Sequence, residues 1–327
     1  MKETKNRAAR DVIVVGFALF SMFFGAGNVI FPPYLGMESG PQWLAGFSAY
    51  FIADIGLALA AMFALLRVGS SEAVLQRVGC VPSEILMCAI ILCVGPMVAI
   101  PRTSASTFEM AIAPNLPGVS AVVFSVLFFA LILALCIRES AVVDIVGKVL
   151  TPLLVAGIVV MVIAGIVNPL GPVGAPETDT VVADGVLAGY QTMDILAVVG
   201  FSILVQESVR AAGYGEKRDQ MRVTARASLV ACVLLAVIYG GLTYLGATSA
   251  SVVPHTVSQA ELITMIVWKL MGEAGVAVLG VVVGLACLTT AIGLCGATAD
   301  YVERVTMRRV SYRAALIIVV VAALLIC

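Results

Sequence analysis

Several polar or conformationally special residues in this chain sit where apolar sequence makes them costly. Gly25, Ala26, Gly27 and Asn28 are followed by Pro32 and Pro33 inside one apolar stretch. Glycine allows close approach of backbones, and proline cannot donate to a helical ladder. A helix broken here would expose half-helix ends whose free N–H and C=O groups can hold an anion or a cation. A kinked helix or a small-residue packing seam would use the same residues. Thr289 and Thr290 stand side by side in another apolar run, and Ser21 in the first. Such hydroxyls either bond back to carbonyls one turn away or supply oxygens to a hard cation. Asp54 and Asp194 lie deep in apolar runs, Asp194 between Gly189 and Gly200. An ionisable residue at such depth marks a functional site unless it is paired. Arg102, between Gly95-Pro96 and the end of its run, asks for a partner, with Asp54, Asp194 and Glu109 as candidates. Asp144, Glu207 and Asp300 lie nearer the ends of apolar runs, Glu207 three residues before Arg210.

The elements that must position these residues are membrane spans. The 327 residues are 61% hydrophobic, with 30 glycines besides. Charged residues are 12%, against roughly 25% in soluble domains. That composition excludes an ordinary soluble domain, a disordered tail and a nucleic-acid binder. A bilayer core takes about 20 apolar residues of helix. Stretches of that kind fall near 12–35, 44–66, 84–110, 119–137, 141–167, 186–209, 224–247, 276–301 and 311–327. The segment 258–272 is too short and polar to cross and reads as a surface helix. Asn168, Pro169, Gly171, Pro172, Gly174 and Pro176 hold a loop open after the fifth span. With the N-terminus in the cytoplasm, 17 of the 19 lysines and arginines fall on the inner side, leaving Lys269 outside and Arg102 within a span. The last span runs to Cys327 with no polar cap, which reads as a chain cut short.

The two interrupted spans, the first and the sixth, are five apart. Matching breaks in the two halves of an inverted repeat are the sequence pointer to a membrane carrier. A single histidine, His255, excludes a multi-imidazole metal or haem site, and the eight cysteines form no Cys-x-x-Cys pair. No G-x-x-x-x-G-K-[ST] loop and no catalytic motif is present. The expectation is therefore a non-enzyme without cofactors, and without a metal beyond an alkali cation.

Phe23-Phe24-Gly25-Ala26-Gly27-Asn28-Val29-Ile30-Phe31-Pro32-Pro33 resembles the first-span signature of the branched-chain amino acid:cation symporter family. Gly95-Pro96 through Pro101-Arg102-Thr103 resembles its third span. Gly189-Tyr190 with Thr192-Met193-Asp194 resembles the start of its sixth, and Cys287 through Leu294 its eighth. The resemblance runs over essentially the whole chain and places it in the amino acid-polyamine-organocation superfamily. It implies an all-α, polytopic membrane protein with inverted five-helix repeats and discontinuous helices 1 and 6. Residues 1–167 would form the first repeat, 168–185 an outer loop and 186–327 a partial second repeat. It further implies import of leucine, isoleucine and valine across a bacterial inner membrane, driven by sodium or protons, by a monomer whose only partners are its substrate and the bilayer. Gly25, Ala26, Gly27 and Asn28 would meet the substrate, with Asp194, Gly200 and Ser202 the sixth-span contribution. Ser21, the Phe24 carbonyl, Thr289 and Thr290 would ligate the cation. Relatives with about 12 spans make a non-transporting fragment, or an amino-acid-binding regulatory module, the alternative.

Overall fold

In the computed structural model, residues 2–68, 74, 76–137, 151–254 and 256–327 are described, without the side chains of residues 2–8, 78, 207 and 211. The described residues form an all-α fold. Helix α1 (Lys2–Phe23) stops at Phe24 and Gly25, and α2 (Ala26–Ser39) resumes. Gly40, at φ 50°, turns the chain into α3 (residues 43–68), which carries a π-helical turn at Ile52–Gly56. Then come α4 (Cys80–Ile112), α5 (Ala121–Cys136) and α6 (Thr151–Val167). Helices α7 (Val181–Gln191) and α8 (Asp194–Ala211) are the halves of one bent element. They are followed by α9 (Lys217–Ala247), α10 (Gln259–Val305) and α11 (Tyr312–Ile326).

By length and composition, four stretches among the described residues can cross a membrane: Ala26–Val68, Cys80–Ile112, Lys217–Ala247 and Gln259–Val305. The pair α7 and α8, bent by 41°, makes a fifth. Helices α5, α6 and α11 are shorter and equally apolar. Large apolar side chains line the outside of these helices, for example Val122 and Leu127 on α5 and Ile317 and Ile318 on α11. In water such a surface would aggregate, and in a bilayer it is solvated. The chain is a polytopic membrane protein.

Two groups of helices enclose the site. Helices α1 and α2 pack along α9, and α7 lies along α3. On the other side α4, α6 and α11 pack on α10, with α5 against α11. Helix α10 also touches α2 and α8, so it borders both groups. A column of buried rings runs through the first group: Phe20 stacks on Phe24 at 5.3 Å, Phe24 on Tyr239 at 5.9 Å, and Tyr50 meets Tyr239 edge-on at 5.5 Å.

Two close approaches depend on glycine. A Cβ on Gly189 would lie 2.6 Å from the Tyr50 carbonyl and 3.1 Å from the Asp54 amide, so α7 reaches α3 only because none is there. Toward the C-terminal ends of α2 and α9, Gly246 of α9 abuts the Pro33 carbonyl of α2, and Gly36 of α2 abuts that of Thr243.

The segment 258–272 is the first part of α10, capped by Ser258 and ended by Gly272 at φ 66°. It is a helix at the surface, with Trp268 exposed, whose other face is buried. Leu262, Ile263, Ile266 and Val267 are fully buried, and Leu262 and Ile266 pack with Met37, Leu245 and Val253. Its apolar stripe covers the C-terminal ends of α2 and α9. The loop after α6 is stitched to the same end, with Gly174 N–H on the Ala247 carbonyl and Glu177 N–H on that of Glu38. Asp144 and His255 lie outside the described residues, as does the side chain of Glu207. Asp300 pairs with Arg304 at 3.0 Å, an i, i+4 contact near the end of α10.

Candidate functional site

The first break leaves α1 ending in carbonyls and α2 beginning in amides. The Gly25 N–H reaches the Phe23 carbonyl at 3.1 Å and the Asn28 Oδ1 at 3.4 Å, so Asn28 closes the first turn of α2 over the break. Pro32 and Pro33 lie within α2, past the break. They break no helix here; lacking N–H groups, they leave carbonyls of the first turn of α2 without intrahelical donors.

Against the end of α1 stands α10. The Thr289 hydroxyl donates to the Ala286 carbonyl at 3.0 Å and lies 3.3 Å from that of Ser21. The Thr290 hydroxyl lies 3.5 Å from the carbonyls of Ser21 and Phe24. Five oxygens therefore converge: the carbonyls of Ser21, Phe24 and Ala286 and the hydroxyls of Thr289 and Thr290. The Ser21 hydroxyl is not among them, because it donates back to Ala18 at 3.0 Å. Ser21 contributes its backbone, and Ala286 is an addition the residue types did not announce.

The second break falls at Thr192-Met193. Met193 is left-handed, at φ 67° and ψ 14°, a conformation disfavoured for a residue with a Cβ. The break points Asp194 inward at the first position of α8. Asp194 and Asp54, 6% and 1% exposed, both approach Asn28, whose Nδ2 lies 3.1 Å from an oxygen of each. The same nitrogen is 2.6 Å from the hydroxyl of Tyr239. Thr192 donates to Asp54 at 2.9 Å or to the Gly189 carbonyl at 2.7 Å. Asn28 thus joins both breaks to α3 and α9.

Arg102 forms no ion pair with Asp54, Asp194 or Glu109 among the described residues. Its Nη1 donates to the Gln191 carbonyl at 3.2 Å, and its guanidinium lies 5.2 Å from the centre of the Phe31 ring. The last carbonyls of α7 carry the negative end of that helix's dipole, and the ring face adds a cation–π contact.

Between the breaks lies a cavity of about 440 Å3, counted with its open mouth. Gly25, Ala26, Gly27, Asn28, Arg102, Thr192, Asp194 and Thr290 form its polar side. Val94, Ala99, Met193, Ala197, Phe201 and Leu294 form an apolar side. Gly200 and Ser202 are not among the lining residues. Gly200 faces Ala297, where a Cβ would come within 2.5 Å, and Ser202 donates to the Val199 carbonyl at 3.0 Å. Gly200 and Ser202 flank Phe201, each rotated from it by about 100°, and Ala197 and Phe201, about one turn apart, take the cavity face.

Residues 8–327 match the model of the branched-chain amino acid transport protein family. The chain is 35% identical over 323 residues to the branched-chain amino acid transport system 2 carrier protein of Pseudomonas aeruginosa, covering 97% of this chain and 73% of that protein. It is 36% identical to the system 3 carrier protein of the same organism, over 94% of this chain and 72% of the other. It is 34% identical to the branched-chain amino acid permease BraB of Bacillus subtilis, over 97% and 73%. A family match over nearly the whole chain, with relatives of this identity and coverage, makes this chain a member of the branched-chain amino acid transport protein family.

Proposed function

We propose that this protein carries leucine, isoleucine and valine across the bacterial inner membrane by secondary transport, with sodium as the coupling ion. Secondary transport of branched-chain amino acids follows from family membership. The sodium reading is ours, and the five-oxygen group between α1 and α10 carries it. A hard cation wants oxygen ligands; with oxygens about 2.4 Å from the ion and at right angles to one another, neighbours lie about 3.4 Å apart. The hydroxyl–carbonyl separations here are 3.0–3.5 Å. All five donors are neutral, which suits a monovalent ion better than a divalent one. The ligands would be the carbonyls of Ser21, Phe24 and Ala286 and the hydroxyls of Thr289 and Thr290.

The substrate reading follows from the cavity. The amides of Ala26 and Gly27 at the start of α2 favour a carboxylate. The carbonyls that end α1 and the carboxyl of Asp194 favour an ammonium group. The apolar side formed by Val94, Ala99, Ala197, Phe201 and Leu294 suits a branched aliphatic side chain. An aliphatic ligand gains about 0.8 kcal/mol per buried methylene, and a polar side chain would be left unpaired there.

Breaks at Phe24-Gly25 and at Thr192-Met193 support the inverted-repeat reading, with α1 and α2 matched to α7 and α8. We take the N-terminus to be cytoplasmic from the lysine and arginine distribution. Alternating access would move α1, α2, α3, α7, α8 and α9 against α4, α5, α6 and α10. The test is leucine uptake by proteoliposomes of the purified chain under an inward sodium gradient. Saturable uptake lost when choline replaces sodium is the expected result. Uptake indifferent to sodium removes the cation reading, and leucine binding without uptake favours a regulatory module.

A further inference from the structure

The acid pair beside the cavity has no place in the sodium site, and its surroundings are short of positive charge. Asp54 and Asp194 bring carboxyl oxygens to the same atom, Asn28 Nδ2, at 3.1 Å each, and Tyr239 brings its hydroxyl there at 2.6 Å. An amide nitrogen carries two hydrogens, so one of three oxygens goes without. The Tyr50 hydroxyl, fully buried, faces the same two acids. Across from them, Arg102 lines the same cavity as Asp194. Arg102 itself is spent on the Gln191 carbonyl and the Phe31 ring. The titratable or charged groups around the pair are therefore Tyr50 on α3, Arg102 on α4, Tyr239 on α9 and, beyond Arg102, Cys287 on α10. Two ionised carboxylates and one guanidinium leave a net charge of −1 near the middle of the membrane, where an uncompensated charge is costly. Like charges this close do not both ionise readily.

We propose that Asp54 and Asp194 together form a one-proton site, a single proton shared across the pair and held in place by Asn28. The proton makes the group with Arg102 neutral and supplies the hydrogen that Asn28 cannot. It fastens α3, which carries Asp54, to α8, which carries Asp194, at the second break. Loss of the proton sets two negative charges against each other across that contact and loosens it. The site is thus a place where proton concentration acts on the helix pair that borders the cavity. Its bearing on transport rests on the function proposed above; the protonation itself does not.

Infrared difference spectroscopy reads the proton directly. Purified protein in nanodiscs, free of sodium and amino acid, is titrated from acidic to alkaline pH. The C=O stretch of a protonated carboxylic acid is followed in the parent, Asp54→Asn and Asp194→Asn. The expected result is a band worth one carboxylic acid in the parent at neutral pH, lost as the pH rises. Both variants lack it, because removing either acid leaves one carboxylate for one guanidinium and no need of a proton. No such band in the parent at neutral pH overturns the proposal. A band that survives either substitution also overturns it, since the acids then titrate independently. Should one variant fail to fold, the other carries the same reading. Sodium-driven uptake with no band sinks this inference alone, and a band without leucine uptake sinks only the transport reading.

Discussion

At the first break Gly25 is extended, at φ −102° and ψ −171°, a conformation open to any L-residue. At the second, Met193 is left-handed at φ 67°, where glycine would be at ease and methionine is not. The glycine stands where the dihedrals do not ask for it, and the strained dihedrals belong to a residue with a Cβ. What Gly25 supplies is room: a Cβ there would sit 3.3 Å from the Thr290 hydroxyl. The two breaks also differ in charge. The first faces neutral carbonyls and hydroxyls, and the second faces Asp54 and Asp194. Discontinuous helices at one cavity can therefore serve different ligands. Backbone oxygens suit a monovalent cation, while a carboxyl pair suits a proton or an ammonium group.

The largest expected effect comes from removing the residue that joins the breaks. Asn28→Ala leaves the facing oxygens of Asp54 and Asp194 and the Tyr239 hydroxyl short of a donor. Asn28 carries two hydrogens, so two of these three oxygens lose a donor; each buried group left unsatisfied costs about 1–3 kcal/mol, more when charged, so the sum is about 2 kcal/mol or more. The melting temperature of ligand-free protein in detergent should fall clearly, and leucine affinity with it. An unchanged melting temperature would mean that the breaks are independent and that Asn28 binds neither acid in solution.

How much of this was legible in the sequence differs between the breaks for physical reasons. Gly25, Ala26, Gly27 and Asn28 in an apolar run announced the first, and Thr289-Thr290 announced hydroxyls that could face it. The second has neither glycine nor proline at Thr192-Met193, so residue type points instead to Gly200 and Ser202, which do not line the cavity. Gly200 is there for packing on Ala297. Backbone carbonyls carry no residue-type signal, so neither the Ala286 carbonyl beside Thr289 nor the Gln191 carbonyl that takes Arg102 is legible in the sequence. Tyr239 was missed in an otherwise apolar span; a buried tyrosine needs a partner for its hydroxyl, and that was the available clue. The spans themselves were legible, because length and hydropathy decide them. The burial of residues 259–271 depends on what lies beneath and could not be read locally.

A second prediction isolates the neutral break. Thr290→Ala removes one oxygen of five near Phe24 and leaves both acids in place. Losing a buried polar partner costs about 1–3 kcal/mol, which is roughly a 5- to 150-fold weaker apparent sodium affinity. Leucine binding titrated with sodium measures it, with melting in sodium-free buffer as the control for folding. Equal sodium dependence in parent and variant would remove Thr290 from the ligand set. The pH titration of the carboxylic acid band should be the same in both, which separates the two breaks experimentally.

A smaller effect is expected from Gly25→Ala. The backbone accepts it, and the new methyl presses on a hydroxyl that can rotate away. Overpacking at the low end costs about 1 kcal/mol, or roughly a 5-fold loss of apparent sodium affinity. The melting temperature should barely move. A collapse of the fold would show that Gly25 is needed for its dihedrals after all.

The smallest effect belongs to Met193→Gly. Glycine relieves a left-handed conformation that costs an L-residue about 1–2 kcal/mol. It also gains freedom in the unfolded chain, which takes back about 0.4–1 kcal/mol. The net change is a stabilisation of about 1 kcal/mol or less, seen as a small rise in melting temperature. The Met193 side chain is half-buried and lines the cavity, so its loss leaves a larger apolar side beside Ala197 and Phe201. Sodium affinity should stay unchanged, because no cation ligand is touched, while the preference among leucine, isoleucine and valine shifts toward the bulkier chains. A fall in stability would mean that methionine packing, and not backbone ease, holds the second break in place. In that case the break without glycine is the rigid one, and Gly25 marks the break that moves.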